Sequence, residues 1–307
     1  MRNGIALFLI AVMIAMAFYG CSSPDTGGGI QFSTGNNGNS GTADQNYNKG
    51  TTGLKLDFLA NSPPSELYDG QTFPFVLEIL NTGITDTNPY ITLTGFDKNI
   101  VKVDWTNRQP GLIYGKSQIN PTGGYGTIDD NVKVSLPSGV DVFPTPVTAI
   151  ACYEYVTEGI SQVCVDPDPT NNRDDVCAAK LIQLSGGQGA PVAITKIETK
   201  PSIGTNYFLI TVSNLDKTGA VISYDKVSSC TDQLTYQEVD VVDIMSANLG
   251  SQKISCEPNT IRLVNGVGTT TCTATGLTGS AYSTSLQLNL KYGYKTSITK
   301  SLNIRRM

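Results

Sequence analysis

Seven cysteines and one acid-rich run are the residues in this 307-residue chain best suited to chemistry. The run, DPDPTNNRDD at 166–175, places Asp166, Asp168, Asn171 and Asp174 close together between two apolar segments. Oxygen ligands at this density suit Ca2+, which takes about six to eight of them, and neighbouring carboxylates repel unless a cation joins them. The run lacks the glycine and the terminal glutamate of a helix-flanked calcium loop. A solvated turn, which Asp, Asn and Pro form readily, is therefore the competing expectation. Asp129-Asp130 and Asp240/Asp243 are the other carboxylate pairs, but Asp240 and Asp243 have odd spacing and face opposite ways on a strand. PGLIYGKS (110–117) falls one residue short of the phosphate loop, having three residues between its glycines where four are needed, and no helical pattern follows it.

The chain contains no histidine. That removes the commonest general base and the commonest metal ligand together, and with them Ser-His-Asp and Cys-His hydrolysis and His-ligated zinc. The net charge of −5 leaves no basic footprint for nucleic acid. A non-enzymatic protein without a resident cofactor is expected. A single tryptophan, Trp105, argues against a tryptophan-built sugar platform, although polysaccharide binding stays open through the fourteen tyrosines.

The N-terminus supplies an address. Arg2 precedes an uncharged stretch from Ile5 to Tyr19, which is followed by Gly20-Cys21-Ser22. A short basic head, an apolar run and a small residue before a cut site make a secretory signal, and the run is short for a permanent span. The placement of Cys21 resembles the lipobox of bacterial-type lipoproteins, where the cysteine is acylated and becomes the new N-terminus. Phe18 and Tyr19 depart from that pattern, and an uncleaved N-terminal helix is the alternative anchor. Either way, residues 22–307 lie outside the membrane. Residues 22–53, rich in Gly, Ser, Asn and Thr, read as a disordered tether.

Setting aside Cys21 for lipid leaves six cysteines in an exported chain, an even number that suggests disulfides. All fifteen pairings remain open. Local geometry favours Cys152 with Cys164 across a turn at Thr157-Glu158-Gly159. It also favours Cys256 with Cys272 around Asn265-Gly266, given a bulge near Pro258, and leaves Cys177 with Cys230. No CxxC spacing supports zinc.

From residue 54 onward, short alternating runs are broken by Gly, Pro, Asn and Asp. TFPFVLEIL (72–80), for instance, puts Phe73, Phe75, Leu77 and Ile79 on one face. No window outside the signal keeps a 3.6-residue period, so the fold class is all-β, built of sandwiches. FVLEILNTG (75–83) and FLITVSNLDKTG (208–219) echo one another, as do CYEYVTEGISQVC and LKYGYKTSITK. The offsets are 133 from Asn81 to Asn214 and 137 from Tyr155 to Tyr292. Near-equal offsets suggest a duplicated unit.

FVLEILNTG resembles the strand-and-turn signature of bacterial cell-adhesion-related, immunoglobulin-like domains. SGGQGAPVAITKIE and CEPNTIRLVNGVG resemble segments of archaeal envelope proteins. The resemblance covers about fifty residues and implies a sandwich fold and a surface role, with no active site to carry over. The expected organisation is a signal or anchor at 1–21, a tether at 22–53, an immunoglobulin-like sandwich at 54–185, a linker at 186–191 and a second sandwich at 192–307. The expected function is adhesion or envelope scaffolding at the cell surface. Its partners are the membrane, through an N-terminal lipid or helix, and other envelope proteins or surface polysaccharide, not nucleic acid. A filament or surface-layer subunit that assembles through an exposed edge strand is the alternative; it requires a long edge with few charges.

Overall fold

The structure, a computed structural model, describes residues 46–171 and 176–307. Cys21, residues 1–45 and Asp174 lie outside the described residues, and so do the segments expected to be the signal, the lipidation site and most of the tether. The described chain is all-β. The first strands are β1 (Leu54–Phe58), β2 (Glu66–Tyr68), β3 (Thr72–Asn81), β4 (Tyr90–Thr94), β5 (Val101–Lys102), β6 (Tyr125–Val134), β7 (Val142–Val165) and β8 (Leu181–Gln183). They are followed by β9 (Val192–Ser202), β10 (Thr205–Asn214), β11 (Gly219–Ile222), β12 (Val241–Leu249), β13 (Gln252–Lys253) and β14 (Ser255–Glu257). The last are β15 (Thr260–Arg262), β16 (Val267–Thr275) and β17 (Tyr282–Arg305). Alternation decides which face is buried, as expected: Phe73, Phe75, Leu77 and Ile79 of β3 are at most 2% exposed.

Three sheets result. The largest has eight strands, with β13-β12-β17-β7-β4 along its path and β2, β11 and β15 attached at its edges. β7 and β17, 24 residues each, pair antiparallel without a register shift from Val142↔Arg305 to Val165↔Tyr282. At about 3.4 Å per residue this ribbon is roughly 80 Å long. A four-stranded sheet, β1-β3-β6-β5, lies over one end of it, and a five-stranded sheet, β14-β16-β10-β9-β8, over the other. Both lie on one face of the ribbon. The Leu54 amide bonds the Tyr153 hydroxyl, and Thr157 Oγ1 donates to the Val192 carbonyl, so odd-numbered residues of β7 meet both small sheets. The result is two sandwich lobes sharing one long sheet, with a continuous core.

Several expectations are corrected here. Gly159 does not turn the chain; β7 runs straight through it. Its missing side chain makes room for β9, since a Cβ there would lie 2.3 Å from Ile194 Cδ1. Gly293 does the same in β17, where a Cβ would lie 2.8 Å from the Ser223 carbonyl oxygen. Cys152 and Cys164 therefore stand twelve residues apart on one strand, roughly 40 Å, and cannot bond. The disulfides are Cys152–Cys230, Cys164–Cys177 and Cys256–Cys272. The third was expected, but no bulge is needed, because β14 pairs β16 with Cys256 directly opposite Cys272. Asn265 and Gly266 do make the tight turn, both with positive φ.

The stretch expected to link two domains, 186–191, is instead part of the interior. Gly187, Gly189 and Ala190 are buried, and Gly50 exchanges backbone bonds with Gly186 and Gly189. A Cβ on Gly187, at φ 65°, would lie 2.2 Å from the Gly50 carbonyl oxygen, so glycine is required for this approach. The last residues assigned to the tether, 46–53, are thus folded into the body, and Lys116 Nζ donates to the Lys49 carbonyl at 2.6 Å. The described residues form one compact unit rather than two, because β7 and β17 belong to both lobes.

Candidate functional site

The centre of the molecule is a quartet of tyrosines at the middle of the β7–β17 ribbon. Tyr153 stands opposite Tyr294 and Tyr155 opposite Tyr292, all four fully buried. Their ring centroids lie 5.9–6.4 Å apart, in tilted or edge-on contact. Each hydroxyl is used. Tyr153 accepts from the Leu54 amide at 2.9 Å, where β1 begins, and Tyr292 accepts from the Val192 amide at 3.2 Å, where β9 begins. Tyr155 accepts from the amides of Ile84 and Thr85 and donates to the Gly189 carbonyl at 2.6 Å. Tyr294 donates to the Asp216 carbonyl at 2.8 Å. Burial pushes all four phenols above their ordinary range, so they remain neutral hydrogen-bonding groups.

These contacts reveal the symmetry that the sequence echo hinted at. Tyr153 is the counterpart of Tyr292 and Tyr155 of Tyr294, an offset of 139 in both cases (292 − 153 and 294 − 155). The residues first aligned, Tyr155 and Tyr292, face each other across an approximate twofold axis between Glu154 and Gly293. The YxY spacing in each half was the available sign, because it puts both rings on one strand face.

The opposite face carries a cap. Residues 223–240, which follow the edge strand β11 and comprise the 3-10 turns Tyr224–Ser229 and Tyr236–Glu238, cover Cys152, and the Cys152–Cys230 bond fastens them with Ile222 and Val227 buried beside it. Glu238 holds the end of this cap. Its carboxylate accepts from Lys226 at 2.8 Å and from the amide and hydroxyl of Thr235 at 2.7 and 2.9 Å. The Lys226 hydrogen bond, and then those from Thr235, lower its pKa to about 2. The folded value is depressed, so the stabilisation is complete above the ordinary glutamate range and fades as pH falls from about 4.5 towards 2. In an NMR titration the Glu238 carboxyl carbon should have its midpoint near pH 2, and Lys226→Met should move that midpoint up; an unshifted midpoint in the native chain would refute the assignment.

Of the expected calcium residues, Asp166, Asp168 and Asn171 are described. Asp166 is 9% exposed, and its Oδ1 accepts from the Asp168 amide at 3.0 Å. Asp168 Oδ1 accepts from the Thr170 amide and hydroxyl, and the Asn171 amide bonds the Asp168 carbonyl. These are the turn-forming bonds that Asp and Asn make locally, and Cys164–Cys177 closes the loop around them. Among the described residues no three acidic, cysteine or histidine side chains converge as a metal would require. Asp130 accepts from Trp105 Nε1 and Arg108, and Asp243 from the Thr260 hydroxyl.

A shallow groove of about 240 Å³ opens between β1 and the stretch Thr296–Ile298 of β17. Thr52, Thr82, Thr218, Ser297 and Lys55 line it, with Asp216 its only acid. Asp216 is 5% exposed, and its Oδ1 accepts from the amide and hydroxyl of Thr218. A lone carboxylate among hydroxyls can exchange hydrogen bonds with a polar ligand but lacks the second carboxyl of a glycosidase pair. The exposed tyrosines are dispersed: Tyr125 donates to Glu78, Tyr224 lies under Lys291 and Tyr236 under Arg262. No family model matches the chain, and a search of curated proteins finds no match to it.

Proposed function

We propose that this is a non-catalytic protein of the cell surface, a rigid adhesive or envelope-scaffolding element held to the membrane through its N-terminus. The observation that carries the reading is the 24-residue β7–β17 ribbon, which binds both lobes into one stiff body fastened by three disulfides. Long antiparallel pairing resists bending and local opening, as a body that presents surfaces at a distance must. Disulfides fit an oxidising, extracytoplasmic compartment. The sequence adds the signal-like segment ending at Cys21 and the absence of histidine.

Intact mass after membrane extraction tests the anchor. An acylated Cys21 at the mature N-terminus supports it, and a mature, unacylated chain released into the medium overturns it. Cross-linking on intact cells, followed by mass spectrometry, tests the role. Reproducible links from the lobes to envelope proteins or polysaccharide are expected; protein found only in the cytoplasm would sink the proposal.

A further inference from the structure

The described sheet edges are unevenly protected. β1 carries Lys55 and Asp57, the open stretch of β17 after Thr296 carries Lys300, β14 carries Glu257, and β5, β8 and β13 have at most three residues. Short edges and edge charges are how sheets avoid pairing with other chains. The outer edge of β4 is closed by backbone bonds from Ile91 and Leu93 to residues 105–108.

β7 differs. β4 covers it only from Thr148 to Cys152, and Thr87 and Thr85 hydroxyls bond the Glu154 and Val156 carbonyls just beyond. Even-numbered residues of β7 therefore turn their N–H and C=O groups away from β17. The unbroken register carries this alternation on to Glu158, Ile160 and Gln162. Among the described residues no backbone group bonds to these three from outside the ribbon. Their side chains share one face and are exposed, Ile160 by 59%.

We infer that this edge is a self-pairing surface: two copies of the chain join antiparallel through Glu158–Gln162, with the twofold axis at Ile160. Among registers centred on a residue whose backbone groups point outward, charge and strand length select that one. Centred on Ile160, each Glu158 lies opposite Gln162 of the second copy, an acceptor against a donor, and the two Ile160 side chains cover each other. Glu158 already makes such a bond within the chain, to Gln287. Centred on Glu158, two carboxylates would face each other; centred on Gln162, Glu158 would need a partner at Asp166, past the end of β7 at Val165. Like charges directly opposite are destabilising. The Ile160 pair and the two Glu158–Gln162 pairs supply about six backbone hydrogen bonds and merge two eight-stranded sheets into one. A twofold contact closes on itself, so the product is a dimer and not a filament. The interface is small, so the dimer should depend on concentration.

The test uses the full chain on intact cells under mild oxidation. At the axis, paired residues sit about 5.5 Å apart at Cα, within disulfide range. Ile160→Cys should give a disulfide-linked band of twice the mass. Ile203→Cys, 73% exposed at the β9–β10 turn, should not exceed the background set by the unmodified chain. In sedimentation, the purified protein should shift from monomer to dimer with concentration, and Ile160→Lys should abolish the shift while leaving the melting curve unchanged. Cross-linking no stronger than at Ile203, or an Ile160→Lys chain that still dimerises, overturns the inference. A monomer found at the cell surface would overturn it while leaving the surface role standing.

Discussion

Replacing Cys152 and Cys230 together by alanine should cost about 4–5 kcal/mol of folding stability, the largest loss from any of the three disulfides. The chain-entropy argument sets the order. Cys152–Cys230 closes 78 residues, against 13 for Cys164–Cys177 and 16 for Cys256–Cys272. The logarithmic dependence on loop length then gives roughly 4.5 kcal/mol for the first and about 3 kcal/mol for each of the others. Position reinforces the order. Cys152 and Cys230 are at most 2% exposed and pack with Ile222 and Val227, so the bond also holds the cap against the ribbon. Cys164–Cys177 ties down only the loop that carries Asp166, Asp168 and Asn171. Urea midpoints of the three double-alanine chains, with unchanged slopes, provide the measurement. Equal losses, or a greater loss from Cys164/Cys177, would show that loop length does not govern stability in this fold.

How far such features can be read from sequence depends on whether their cause is local. The alternation in β3 is local, and its four inward apolar residues are those that pattern selects. So is the Asn265-Gly266 turn. Gly159 and Gly293 show the limit. A glycine inside an alternating run has the same neighbours whether the chain turns there or another segment presses against it. What decides is Ile194 in one case and the Ser223 carbonyl in the other, both far off in sequence. Misplacing the turn at Gly159 in turn pairs Cys152 with Cys164, because opposition of two cysteines presupposes the fold between them. The glycines of 186–189 and the polar stretch 46–53 carry a linker's composition. They fold because each satisfies the other's backbone groups, as Gly50 does with Gly186 and Gly189. The tyrosine spacing was visible in both halves; that Tyr155 would face Tyr292 rather than match it depended on the ribbon.

Removing one hydroxyl from the centre of that ribbon should show how tightly it binds the lobes. Tyr155→Phe deletes the acceptor for the Ile84 and Thr85 amides and the donor to the Gly189 carbonyl. Leaving a buried polar group unpaired costs about 1–3 kcal/mol, so a total near 3 kcal/mol is expected. At roughly 2–4 °C per kcal/mol, the melting temperature should fall by about 6–12 °C. Tyr125→Phe loses only an exposed bond to Glu78 and should stay within about 0.5 kcal/mol of the native chain. Gly83→Ala probes the same contact from the other side, since its Cβ would lie 1.8 Å from the Tyr155 oxygen and 3.0 Å from that of Gly189. Removing the hydroxyl takes away the 1.8 Å contact, while the ring carbon Cζ of residue 155 stays at 2.8 Å, so the clash is relieved in part. The double variant Gly83→Ala/Tyr155→Phe should therefore lose about 1–2 kcal/mol less than the sum of the single losses. Strict additivity would mean that Gly83 and Tyr155 do not meet as described. The phenols also fix a pH dependence. Their folded pKa values are raised, so their contribution is complete below about pH 10 and declines as pH rises beyond it. Because β7 and β17 run through both lobes, alkaline and thermal unfolding should each be a single transition. Two separated transitions would mean that the shared ribbon does not couple the lobes, and the rigid-body basis of the surface role would be lost with it.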